Sequence, residues 1–250
     1  MVFNAQNEMK ILSQLNNHPS ILLNNSALER VSEFKFLGVI IDESLLWNQH
    51  IKKVCSKLSS TCGVLARLKN ELPTESLRTI YLSLFMPHIM YGAVCWYSDG
   101  NSNVKRVKIL QKKAIRHVCN AKYNSHADPL FKECNTLKAN DINTVLYCKL
   151  LYRYHHGKVS EYIKSSIHIN RDLHRHNTRQ AGNIHRSHTA SQYERLQFEH
   201  RLSICWNNLP DEIKSFNCSI HTFTNNVKKY LISQYQEQCT ILNCYICNRQ

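Results

Sequence analysis

Lys105, Lys108, Lys112 and Arg116 recur every three or four residues, with Arg106 and Lys113 beside them, and no acidic residue occurs between Asp99 and Asp128. At about 100° per residue these cations form a stripe on one side of a helix, while Val104, Val107, Leu110, Ala114, Ile115 and Val118 gather on another arc. A solvated helix usually mixes charge signs, because like charges at i,i+4 cost roughly 0.2–0.5 kcal/mol per pair. A phosphate backbone reverses that penalty, since each neutralised phosphate releases counterions. The chemistry implied is anion binding that positions a polymer without reading its bases. The bland alternative is an ordinary solvated face.

Other reactive residue types lack the spacing for catalysis. The adjacent acidic pairs Asp42-Glu43 and Asp211-Glu212 each stand where a turn or helix start is expected, and neither a Gly-x-Ser-x-Gly elbow nor a His-Glu-x-x-His pair occurs. Between Ile163 and Tyr193 the apolar pattern lapses into Arg171, His174, Arg175, His176, Arg179, His185, Arg186 and His188. Histidines alternating with arginines sit in a field that repels cations, so this stretch reads as a linker or a phosphate-touching loop that needs no fixed secondary structure. In the tail, Cys244 and Cys247 form a Cys-x-x-Cys with Cys239 nearby. These thiols are a candidate zinc set one ligand short of a closed site.

Composition sets the class. A chain of 250 residues with a formal charge of +14 and a pI near 9.3 is long enough for one large domain or two small ones and calls for an anionic partner, RNA or DNA. No apolar run approaches a membrane span, and the basic-then-apolar order of a signal peptide is absent at the N-terminus. The expected location is therefore intracellular, nucleus or cytoplasm, with no membrane partner. The eleven cysteines are an odd number, and Cys55, Cys62, Cys95, Cys119, Cys148 and Cys205 are scattered singly among apolar residues. They read as free thiols packed like small hydrophobes.

The stripe needs a scaffold, and the fold class expected is mainly α: a helical bundle with a small N-terminal β-hairpin or strand segment. Residues 1–42 read as strands. Ile21-Leu22-Leu23, the turn formers Asn24-Asn25-Ser26, and Leu28 to Val31 suggest a hairpin, and Phe34 to Ile41 suggests a buried strand in which Gly38 marks a bulge or a close backbone approach. Two or three strands are marginal alone, so this sheet is expected to have lost neighbours. Residues 43–160 read as the bundle. Its first helix, Gln49 to Lys69, has Ile51, Val54, Cys55, Leu58, Cys62 and Leu65 inward; the second opens at Pro73 and runs through Leu77, Ile80, Tyr81 and Leu84 until Pro87 bends or ends it. The striped helix and one from Asp141 to His156 complete the bundle. Residues 161–193 form the basic linker, and residues 194–250 a helical segment in which Trp206-Asn207-Asn208-Leu209-Pro210 makes a hydrophobic corner and Ser219 caps a last helix.

The order of motifs carries a resemblance. Phe34-Lys35-Phe36-Leu37-Gly38-Val39, Asp42, Leu46-Trp47 and His50-Ile51 are followed by Gly63-Val64-Leu65, Ile80-Tyr81, Pro87, Tyr91-Gly92 and Trp96, then by Gln111 to Arg116, Pro129-Leu130-Phe131, Asn177-Thr178-Arg179 and Trp206 to Pro210. In that order and spacing the whole chain resembles the C-terminal portion of a jockey-type, LINE-like non-LTR retrotransposon reverse transcriptase: the end of the palm, the thumb and the region downstream. The resemblance implies that Lys35 and Gly38 sit near the palm–thumb junction and that Lys105, Lys108, Lys112, Lys113, Arg116 and Arg179 are candidate contacts to a template–primer duplex.

The same resemblance implies a fragment without the catalytic palm. The family's metal-holding aspartates would lie before Met1, as would its endonuclease; magnesium would belong only to the complete polymerase, whose missing palm and endonuclease domains would be further partners. A host-adopted protein-interaction module is the alternative expectation. Two-metal transfer needs clustered carboxylates, so the purified chain should not extend a primer on an RNA template with magnesium or manganese. Template-dependent extension surviving removal of contaminating polymerases would overturn that expectation.

Overall fold

The computed structural model describes residues 21–98, 101–173, 180–186 and 197–237. Among these, two small antiparallel hairpins precede a helical bundle. In the first, β1 (Leu22–Leu23) pairs with β2 (Ser26–Ala27) across Asn24 and Asn25, both in the left-handed region at φ 49° and 60°. That conformation suits a two-residue turn matching the strand twist, and asparagine tolerates it.

The second hairpin corrects the single buried strand expected from Phe34 to Ile41. Here β3 (Glu33–Phe36) folds back on β4 (Val39–Asp42), with Leu37 at φ 46° and Gly38 at φ 85° in the turn. Two consecutive positive φ values reverse the chain, and glycine takes the second without steric cost. Gly38 is therefore a turn residue, not a bulge within a strand. β3 is exposed and β4 half-buried.

Two side chains anchor this hairpin to the helices. The Tyr91 hydroxyl donates to the Leu37 carbonyl, and the Ile40 N–H donates to His50 Nδ1 at 3.3 Å. Gly92, at φ 63°, lets the corner approach β4 so closely that a Cβ there would lie 3.1 Å from Val39 Cγ2. Asp42 closes the hairpin by accepting from the Ser44 hydroxyl and the Leu46 N–H, at 2.7 and 2.9 Å, which starts the turn into the first helix.

Helix α1 (Asn48–Leu68) buries all six apolar residues expected of it, together with His50 and Thr61. Helix α2 (Thr74–Ile80) runs through a π turn at Tyr81–Phe85 into α3 (Met86–Met90). Pro87 neither ends nor sharply breaks this run. It lacks an N–H, and the helix widens just before it, so that the Met86 N–H reaches the Tyr81 carbonyl. The extra residue rotates the face: Phe85 is buried and Leu84, expected inward, is 51% exposed.

After short α4 (Ala93–Trp96) comes α5 (Val104–Val118), which packs along α1, then α6 (Ala127–Glu133) and α7 (Ala139–His155). Helix α7 begins ahead of the expected Asp141 and buries Asn143, Tyr147, Cys148 and Leu151 besides Ile142 and Val145, because neighbours cover it on several sides. Helix α10 (Phe198–Asn207) and α11 (Ile220–Ser233) pack on α7, and the Ser219 hydroxyl caps α11 by accepting from the Thr222 N–H at 3.1 Å. Arg201 joins α10 to α4 by donating to the Val94 and Tyr97 carbonyls at 2.9 and 2.6 Å.

The described parts of the basic segment have regular structure. Between α7 and α10 lie α8 (Glu161–Ser166), α9 (Asn170–Leu173) and a bridge from Ile169 to Ile184, with Ile167 and Ile184 in the core. The Asn207 side chain accepts from the Ile184 N–H and donates to the Ile184 carbonyl, both at 3.0 Å, while Trp206 Nε1 donates to the Gly182 carbonyl at 3.4 Å. Sparse isoleucines plus this side-chain clamp replace the periodic pattern that the segment lacks. The scattered thiols split: Cys55, Cys62 and Cys148 are buried as expected, Cys119 and Cys205 half-buried, and Cys95 exposed.

The His50 anchor is pH-sensitive. Burial, aided by Lys53, lowers the His50 pKa below its ordinary 6.5. The unfolded chain therefore takes up a proton first, so the contribution of neutral His50 is fully present above about pH 6.5 and is lost as pH falls through the lower folded value. Protonated Nδ1 can no longer accept from Ile40. Amide exchange should show the protection factor of the Ile40 N–H falling on acidification below pH 6.5, before that of Leu58 in α1; equal loss at both would mean that the histidine is no anchor.

Candidate nucleic-acid interface

Helix α5 carries the stripe because its buried arc is unambiguous: Val104, Val107, Gln111, Ala114, Ile115 and Val118 face inward. Gln111 was invisible to hydrophobic periodicity. Its amide nitrogen donates to the Tyr81 hydroxyl and the Leu137 carbonyl, both at 2.9 Å, and its carbonyl oxygen accepts from the Ala139 N–H at 2.7 Å. One side chain thus ties α5 to the π turn and to the start of α7, which fixes the rotation of the helix about its axis.

That rotation leaves Lys105, Arg106, Lys112 and Lys113 exposed, and Lys108 and Arg116 half-buried. Ile109 lies among them, 64% exposed. Lys105 and Arg106 occupy the first turn, which holds no acidic residue. Cations there oppose the positive end of the helix dipole, a placement that a bound anion relieves.

Charge extends beyond α5. Burial lowers the His117 pKa, and Lys69, at the C-terminal end of α1, acts in the same direction together with Lys113. Burial raises the Cys62 thiol pKa to about 11, with Lys113 opposing. Lys69 and Lys113 both act on His117, so the basic character of α5 extends to the end of α1, which only the packing of the two helices could reveal.

Two expectations change. Arg116 is not simply a free cation, since its Nε donates to the Ser125 carbonyl at 2.7 Å and burial lowers its pKa, although a guanidinium stays charged. It braces the loop after α5. Nor is the stripe remote from carboxylates: Lys108 and Lys112 border a cleft of about 410 Å³ that also holds Asp128 and Asp141. Asp128 is paired with Lys138 at 2.6 Å, and Asp141 accepts from the Tyr235 hydroxyl. The crest formed by Lys105, Arg106 and Lys113 is the part least offset by acid.

Lys35 is exposed on β3 and Gly38 sits in its turn, beside the Tyr91 ring, where a Cβ would meet Cε1 at 3.6 Å. Their hairpin packs mainly on α1 and the Tyr91-Gly92 corner, not on α5. Arg179 and the thiols Cys239, Cys244 and Cys247 lie outside the described residues. Among the described residues no group of three or more His, Cys, Asp or Glu could hold a metal ion, and no helix is long and apolar enough to cross a membrane. Members of the acidic pairs have local partners. Asp42 is engaged by Ser44 and Leu46, Glu43 faces Arg30 at 3.7 Å, and Asp211 pairs with Lys214 at 3.2 Å.

This chain is similar to jockey-type reverse transcriptases. The "Probable RNA-directed DNA polymerase from transposon BS" of Drosophila melanogaster is 26% identical over 141 residues, which cover 54% of this chain and 16% of that protein. The "RNA-directed DNA polymerase from mobile element jockey" of Drosophila funebris is 26% identical over 107 residues, 41% of this chain and 12% of the relative. The X-element polymerase of Drosophila melanogaster is 24% identical over 101 residues. The chain spans less than a fifth of the length of these jockey-type relatives. No family model and no solved structure matches it.

Because Gln111 sets the presentation of the stripe, Gln111→Ala should cost about 3 kcal/mol, leaving buried Leu137 and Ala139 backbone groups unpartnered. Lys112→Ala, one residue away and exposed, should stay within about 0.5 kcal/mol of the parent. Urea unfolding measures both, and equal effects would remove Gln111 from its central role.

Proposed function

We propose that this chain is the thumb-like part of a jockey-type reverse transcriptase and that its bundle holds a nucleic-acid duplex by the phosphate backbone. The observation that carries this is the exposed cationic face of α5: the crest Lys105, Arg106 and Lys113 is exposed together with Lys112 beside it, with positive charge in the helix's first turn. The names of the relatives point the same way, since an RNA-directed DNA polymerase handles an RNA–DNA duplex. Ile109 adds an apolar contact suited to a sugar edge among the cations.

In this reading the bundle binds and positions, without base preference, and the phosphoryl transfer belongs to carboxylates elsewhere in the polymerase. The hairpin with Lys35 and Gly38 is the junction towards that catalytic part, and the protein acts inside the cell, in nucleus or cytoplasm. A second reading, a protein-interaction module, is favoured by Phe34, Phe36 and Leu37, which are 52%, 56% and 74% exposed on one hairpin.

Salt dependence separates the two. If the four exposed cations each neutralise a phosphate, replacing Lys105, Arg106, Lys112 and Lys113 by Gln should flatten the slope of log affinity against log salt by roughly 0.9 per lost contact on duplex DNA. Arg116→Gln should instead lower stability, through the Ser125 carbonyl left behind. Fluorescence anisotropy with a labelled duplex measures the slope. An unchanged slope in the folded quadruple variant removes α5 from the interface and favours the protein-interaction reading.

A further inference from the structure

Two cysteines from different helices meet at matching positions. Cys119 is the C-cap of α5 and Cys134 the C-cap of α6, and each is followed by an asparagine in the left-handed region, Asn120 and Asn135, both at φ 46°. Both ends close with the same pair of backbone bonds. Ala121 N–H reaches the Arg116 carbonyl at 2.9 Å and Asn120 N–H the His117 carbonyl at 3.3 Å; Thr136 N–H reaches the Phe131 carbonyl at 2.9 Å and Asn135 N–H the Lys132 carbonyl at 3.0 Å. Such Schellman ends define where each Cβ sits. The Cys134 carbonyl is held further by Arg78 Nε at 2.8 Å and the Thr136 hydroxyl at 2.9 Å.

The two Sγ atoms are 2.8 Å apart. A disulfide requires about 2.05 Å, so closure asks for less than an ångström of movement between fixed caps. Cys134 is 4% exposed, whereas Cys119 is half-buried and opens the pair to a small oxidant.

We propose that Cys119 and Cys134 are an oxidation-sensitive pair, converted by hydrogen peroxide into a disulfide that locks the end of the basic helix to α6. The Cys134 thiolate attacks one peroxide oxygen, breaks the O–O bond and becomes a sulfenic acid, while the departing hydroxide takes up a proton to give water. The Cys119 sulfur then attacks the sulfenic sulfur, forming the S–S bond; hydroxide leaves and takes the Cys119 proton as a second water. Overall, two thiols and one peroxide give one disulfide and two waters, with sulfur oxidised and peroxide oxygen reduced. The hydrogen bond suits this order. Either sulfur can donate in this contact; with Cys119 as the donor the pKa of Cys134 is lowered and that of Cys119 raised. A sulfenic acid formed with a second thiol in contact condenses to a disulfide before it can oxidise further.

The test uses the full reduced chain, titrated with hydrogen peroxide while folded, then alkylated, digested without reductant and mapped by mass spectrometry. The expected result is a Cys119–Cys134 crosslinked peptide lacking two hydrogens, appearing before buried Cys55, Cys62 or Cys148 lose their capacity for alkylation. The melting temperature should rise by several degrees, reversibly with dithiothreitol, because the crosslink closes a loop in the unfolded chain. In Cys119→Ser the rise should vanish, and a dimedone adduct should form at Cys134 instead. The proposal is overturned if both thiols stay alkylatable, if either reaches sulfinic acid without a crosslink, or if either pairs preferentially with another cysteine.

Discussion

Gln111 is the residue on which the rest of the bundle turns. A primary amide buried at 2% exposure would be costly if unpartnered, yet its three contacts satisfy a phenol on the π turn and a carbonyl and an amide N–H at the start of α7. Apolar packing alone would let α5 roll by a fraction of a turn on α1 with little penalty. Directional bonds do not permit that. Because Lys105, Arg106, Lys112 and Lys113 lie outside the arc that Gln111 holds in the core, a polar contact in the interior decides which charges meet solvent on the surface.

Much of this architecture was legible in the sequence wherever a helix buries one clean side. The inward residues of α1, most of the apolar arc of α5 and the Ser219 cap follow from spacing and local hydrogen-bond chemistry. The failures share a different cause. Phe34 to Ile41 is a largely apolar run interrupted by Lys35 and Gly38, and the pattern cannot distinguish a strand from a hairpin when Leu37 adopts a positive φ beside Gly38. Leu84 misled because helical spacing assumes an unvarying turn, and α7 because a helix covered on several sides has no single stripe.

Long-range placement was the other blind spot. Asp128 and Asp141 are distant from Lys108 and Lys112 in sequence but share a cleft with them, whereas Lys69 joins the basic surface from a different helix. The candidate interface was thus recognisable as a charged helix, while its most useful part, the crest away from the carboxylates, emerged only from tertiary contacts. The Trp206-Asn207 pair likewise reads as an apolar corner, although the asparagine serves as a two-point grip on the backbone of Ile184.

The widened turn at Tyr81–Phe85 has one more implication. A π turn is an α-helix holding one surplus residue, so the helix on either side keeps its own register while the surplus is absorbed locally. Tyr81 and Phe85 remain stacked across it, with ring centroids 5.0 Å apart, and Tyr81 keeps its bond to Gln111. The stretch therefore acts as a length buffer. Adding or removing a residue elsewhere in this long helical run would swing one half of it off the core, but here a change of one position is spent on the solvent side, at Leu82 and Leu84.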